Sequence, residues 1–109
     1  MTVPTYIEEV DGETIVAAGA KEITVQMHEE ILAAFGITPV SAGDPCEATL
    51  TQYYSNDGTN WVDVSGEEIF NENAGISARI QPVAKWWKFK VENTGSNSFK
   101  LYATVGVRR

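Results

Sequence analysis

The stretch "KWWKFKVENTGSNSFKLYATVGVRR", Lys85 to Arg109, decides how the rest of the chain is read. Apolar and polar residues alternate along both of its halves, at the period of a strand and not of a helix. Trp87, Phe89 and Val91 fall on one face of the first half; Trp86, Lys88, Lys90 and Glu92 fall on the other. In the second half Phe99, Leu101, Ala103, Val105 and Val107 share a face, opposite Lys100, Tyr102 and Thr104. The intervening "NTGSN" carries turn residues. The expectation is an antiparallel hairpin with one buried face, in a register that sets Asn93 against Phe99, Val91 against Leu101, Phe89 against Ala103 and Trp87 against Val105. On its outer face Glu92 would meet Lys100, and Trp86 would cover Gly106, a known way to protect a strand glycine.

Shorter alternating runs precede it. Ile15 and Ala17 alternate with Thr14, Val16 and Ala18, and "AGAK" reads as a turn into Ile23, Val25 and Met27. Ala48, Leu50 and Gln52 follow the same rule, as do Val62 and Val64. Ile76, Ala78 and Ile80 form a further run, which Pro82 stops or places at an edge. "HEEILAAFG" departs from alternation: Ile31, Leu32 and Phe35 fit one face of a short helix near residues 29–35, with Gly36 as its stop. These signals predict an all-β chain, a two-layer antiparallel β-sandwich of jelly-roll or Ig-like type with about seven short strands.

The chain has 109 residues, 43% of them hydrophobic, which suits one domain spanning residues 1–109. No apolar run approaches the about 18 residues of a membrane span, and "MTVPTYIEEVDGE" lacks the pattern of a signal peptide, so synthesis in a cytoplasm is expected. A net charge of −7 argues against a nucleic-acid partner, whose phosphates need clustered Lys and Arg.

Candidate chemistry is sparse. His28 is the only histidine and Cys46 the only cysteine, so neither a paired-histidine zinc motif nor a cysteine-based metal site can form. A dyad of Cys46 and His28 would need the fold to bring them together. The pairs Glu8–Glu9, Glu29–Glu30 and Glu67–Glu68 are adjacent, and neighbours on a strand point to opposite faces, which suits solvated charge better than acid–base work. The expectation is no enzyme activity and no cofactor.

"YYSNDGTNWVDV", Tyr53 to Val64, invites a calcium reading, but with Gly58 as the loop glycine the first and last ligand positions fall on Tyr53 and Val64. Neither is a carboxylate, so that geometry is rejected. As a turn the segment is coherent: Asp57-Gly58 reverses the chain, Ser55, Asn56 and Asn60 bond nearby backbone, and Trp61 folds back as a packing residue. Carbohydrate binding is the rival reading, since Tyr53, Tyr54, Trp61, Trp86, Trp87 and Tyr102 are many aromatics for this length.

The turn Ser55-x-Asp57-Gly58-x-x-Trp61, followed by Trp87, Phe89 and Val91 running into Asn93-Thr94-Gly95, resembles a pattern in small structural proteins of tailed-phage virions. The resemblance covers roughly residues 46–109. It implies a β-sandwich decoration or cement protein that binds the outside of the capsid, commonly as a homotrimer, and reinforces the shell by bridging units of the major capsid protein. Similar turns also occur in adhesive and sugar-binding sandwiches, which keeps a carbohydrate-binding or fibre module as the alternative. Candidate contacts with a partner or a second copy are Val3, Tyr6, Ile7, Asn56, Asn60, Trp86 and Tyr102. Residues 1–10 read either as an arm docking on a neighbouring subunit or as the first strand of their own domain.

Overall fold

The alternation is carried into two packed sheets. The computed structural model describes residues 4–26, 30–64, 66–80 and 84–108. Among the described residues nine strands are formed: β1 (Pro4–Ile15), β2 (Ala20–Gln26), β3 (Glu30–Pro39), β4 (Glu47–Ser55), β5 (Val62–Asp63), β6 (Glu68–Asn71), β7 (Ile76–Ile80), β8 (Trp86–Asn93) and β9 (Phe99–Arg108). The first sheet has the order β1-β9-β3-β7 and the second β2-β8-β4-β5, with β6 also paired to β4. All pairings are antiparallel. The expected all-β sandwich is therefore the fold, with nine strands where about seven were read, because β3 carried a helical pattern and β6 is too short to show a period.

The alternating residues fill the space between the sheets. Trp87, Phe89 and Val91 point inward from β8; Phe99, Leu101, Ala103 and Val105 do so from β9; Ile23 and Val25 do so from β2. Phe35 and Phe89 meet across the two layers with ring centroids 5.3 Å apart. Complete burial of a Phe or Leu side chain contributes about 1.5–3 kcal/mol, so this layer carries most of the stabilisation.

Two sequence expectations are corrected. Residues 30–39 form a strand and not a helix: Ile31, Ala33, Phe35 and Ile37 are buried, while Leu32, Ala34 and Gly36 face outward. The Leu and Ala content favours a helix locally, but β3 lies between β9 and β7 and bonds to both, and those ladders override the local preference. The second correction concerns the predicted hairpin. β8 and β9 do not pair; they lie in opposite sheets and turn their inner faces to the same core. Val91 is registered with Lys21 and Leu50, and Leu101 with Glu13 and Ile37.

Asn93 explains this outcome. Its side chain is buried, donating to Ile15 O at 3.0 Å and Asn97 O at 2.9 Å and accepting from Gly95 N at 3.1 Å. These bonds shape "NTGSN" into an arch between the sheets. The register-based pairs fall with the hairpin: Trp86 covers Gly58 and not Gly106, which pairs with Tyr6 and Leu32, and Glu92 approaches Lys90 at 3.9 Å and not Lys100. Residues 16–19 likewise link the two sheets: the alternating run read through Ala18 ends at Ile15, and Ala20 and Lys21 of "AGAK" already belong to β2.

Candidate functional site

The turn motif residues come together in one built loop between β4 and β5. Ser55 is buried at the end of β4; its hydroxyl donates to Asp57 Oδ1 at 2.9 Å and accepts from Gly58 N at 2.9 Å. Asp57 Oδ1 also accepts from Thr59 N and Asn60 N, both at 2.8 Å, and Oδ2 accepts from Asn60 Nδ2 at 2.7 Å. The Asn60 and Thr59 amides, then the Asn60 and Ser55 side chains, hold the Asp57 carboxyl well below the usual carboxylate range. Both carboxylate oxygens are thus engaged by the loop's own donors, and the loop reads as a locked reversal. Asn56 and Asn60 are exposed at its tip.

Gly58 has φ +78°, a conformation that L residues rarely adopt. The indole of Trp86 lies against it. Trp61 packs against a cation: Lys88 Nζ stands 4.4 Å from its ring centroid and 5.1 Å from that of Tyr53, with Glu22 Oε2 at 3.0 Å. The outer face of the second sheet therefore uses Tyr53 and Trp61 to seat its own ammonium group. Of the rings proposed for a sugar site, Trp87 is buried and donates to Gln52 Oε1 at 3.0 Å, and Tyr54 packs against the core.

A different surface lies on the outer face of the first sheet. The ladders place Glu9, Thr104, Ala34 and Ser77 in one cross-strand row and Asp11, Tyr102 and Gly36 in the next. Tyr102 is 41% exposed and leans toward β1, where a β-carbon on Gly12 would stand 3.2 Å from its hydroxyl. On its other side Gly36 has open space above it. A trough of about 670 Å³ results, adjoining a hollow of about 470 Å³ lined by Leu32, Ala34, Ser77, Arg79 and Thr104. Sequence reading found Tyr102 but missed Glu9, Asp11 and Gly36. The signal for Gly36 was present, since a glycine inside an alternating run marks a bulge or a close approach, but the helix reading took it as a stop.

The remaining candidates are dispersed. Tyr6 and Ile7 lie on β1, whose backbone pairs along β9 from Pro4 to Ile15, with a register shift between Tyr6 and Glu8. Val3 and His28 lie outside the described residues, so the Cys46–His28 dyad does too. Cys46 is buried, its amide donates to Glu72 at 2.9 Å, and burial, then the charges of Glu72 and Asp44, push its thiol up. Among the described residues no three of His, Cys, Asp and Glu gather as metal ligands would.

Fold and surfaces together define an antiparallel two-layer β-sandwich with a locked loop at one end and an open trough on one face. No family model matches the chain, and no curated protein matches it. Among solved structures it is similar to the Yersinia pseudotuberculosis-derived mitogen YPM, with a TM-score of 0.61 and 14% identity over 96% of this chain and 87% of that one. At that identity the likeness concerns the fold alone.

Proposed function

We propose that this chain is a non-enzymatic structural protein of a tailed-phage virion, a decoration protein that binds the outside of the capsid and reinforces it by bridging major capsid subunits. The motif Ser55-x-Asp57-Gly58-x-x-Trp61 with Asn93-Thr94-Gly95 supports the class. The observation that carries a binding role is the placement of exposed aliphatic side chains. Val62, Val64 and Ile69 are 48, 41 and 63% exposed, and all three lie on or beside the short strands β5 and β6 at one edge of the second sheet. Val62 is registered with Tyr54 and Ile69 with Thr49, so the edge exposes apolar side chains on both of its faces, and such exposure at a sheet edge suits a partner surface. The locked loop stands next to that edge and offers Asn56 and Asn60 as polar contacts at its rim. Self-association, as a homotrimer, belongs to the same reading.

Each copy on a capsid adds contact area that must part before neighbouring subunits separate, and repetition over the shell makes modest contacts effective. Co-sedimentation with purified capsids tests the reading. Val64→Asp and Ile69→Asp are expected to lose capsid binding while keeping the wild-type circular dichroism spectrum. A protein absent from purified virions, and indifferent to their capsids, overturns it.

A further inference from the structure

The residue that most needs a reason is Gly36. It lies inside the ten-residue strand β3, facing Tyr102 on β9 and one residue past Phe35, where the ladder to β7 ends. A strand-interior glycine weakens a sheet, and where it persists it commonly marks a bulge, a tight bend or the close approach of a ligand or another backbone. β3 runs in unbroken register with β9 through Gly36. Its φ does not fall in the glycine-favouring region, and a β-carbon built on it meets no atom within 4 Å. The fold thus leaves room for a side chain at Gly36, and its lack serves only what lies outside the sheet.

What lies outside is the trough. Its floor is Gly36 with Ala34, and Tyr102 borders it with an aromatic ring drawn aside over Gly12. Glu9 and Asp11 bring carboxylates to the β1 rim; Ser77 and Thr104 bring hydroxyls. We propose that this trough binds a neutral oligosaccharide, with Tyr102 stacking on the apolar face of a sugar ring and the carboxylates accepting from its hydroxyls.

The chemistry favours this occupant over others. A sugar ring offers a C–H face to an aromatic and hydroxyl donors to carboxylates, and it loses little by binding in an open site. An anion is disfavoured by Glu9 and Asp11 and by the net charge of −7. A purely apolar ligand would strip water from two carboxylates without replacing their hydrogen bonds. A peptide strand adds at a sheet edge, but Ala34, Tyr102 and Thr104, which line the trough with Gly36, are each paired on both sides. A second copy would bring the same acidic rim and the same net negative charge. The site is independent of the β5–β6 edge and of the aromatic groups around Lys88.

The test is a titration of the isotope-labelled full chain with cellohexaose, maltohexaose and chitohexaose at millimolar concentration, followed by amide shifts. The expected result is that at least one of these probes moves the amides of Gly36, Ser77, Tyr102 and Thr104. Gly36→Phe, which fills the floor and suits a strand, abolishes the shifts with the fold intact; Tyr102→Ala weakens binding about tenfold or more; Trp61→Ala retains it. The proposal is overturned if none of the three probes moves these amides, if the shifts centre on residues 55–61, or if Gly36→Phe still binds. It is equally overturned if Gly36→Phe loses capsid co-sedimentation or a self-associated state in light scattering, since the occupant would then be a protein. Failure of the virion reading with these shifts preserved leaves this site standing.

Discussion

Trp86 lies across Gly58: a β-carbon built on that glycine would stand 3.2 Å from both Cε2 and Nε1 of the indole. The contact joins the start of β8 to the tip of the β4–β5 loop, and Ser55 and Trp86 are registered partners beneath it. Gly58 is therefore fixed twice, by its φ of +78° and by the ring above it. Gly58→Ala is expected to destabilise the protein by about 1–2 kcal/mol from the left-handed backbone alone, with more from displacing the indole. The midpoint of urea unfolding and a change in tryptophan emission of the folded state together check this.

Asp57 makes the loop sensitive to acid. Its folded carboxyl is held below the usual range, so the folded state binds that proton later than the unfolded chain does. The stabilisation is complete above the unfolded value of about 3.9 and is lost as pH falls below it. The Glu72 carboxylate, which accepts from Cys46 N and from its own amide, acts in the same direction. Asp57→Asn keeps an acceptor for Thr59 and Asn60 but removes the charge. Its thermal midpoint is expected to fall less than that of the wild type between about pH 5 and pH 2.

Asn93 should tolerate replacement poorly. Asn93→Leu leaves the buried Ile15 O and the half-buried Asn97 O without this donor and the half-buried Gly95 N without its acceptor. Each buried polar group left unpaired costs about 1–3 kcal/mol. A loss of several kcal/mol in denaturant unfolding is expected, a large part of the about 5–15 kcal/mol that holds a typical domain folded.

That residue also marks the limit of what the sequence made legible. Alternation correctly assigned the inner faces of β8 and β9, because period 2 is a local property of each strand. It could not assign their sheets. Two inward-facing strands joined by a short turn satisfy the same pattern whether they pair edge to edge or face each other across a core. The choice depends on the buried amide of Asn93 reaching Ile15, which is distant in sequence. The loop from Ser55 to Asn60 was readable because its bonds are all local. The trough was not, since Glu9, Gly36, Ser77 and Tyr102 come from four strands and meet only through the ladders.

Phe89→Ala probes the layer between the sheets. Phe89 is fully buried and touches Phe35 of the opposite sheet. A loss of about 3–5 kcal/mol is expected from equilibrium unfolding.

Cys46 offers a reporter of global opening. Its thiol is buried and raised by its surroundings, so it is expected to react with a thiol reagent at the rate at which the protein opens. Labelling should be slow in buffer and rapid above the unfolding midpoint.

The strand order has a consequence for birth at the ribosome. β9, the last of the nine strands to be made, lies between β1 and β3 in the first sheet. Until it emerges, β1 has no neighbour in its sheet and β3 has only β7. The second sheet can begin to assemble once β8 is out, but its apolar face then lacks most of its cover. Nascent chains halted before Phe99 should therefore remain open to proteases and dependent on chaperones, and folding should arrive late, as one event, when the final hairpin-like arch swings its strand into the gap.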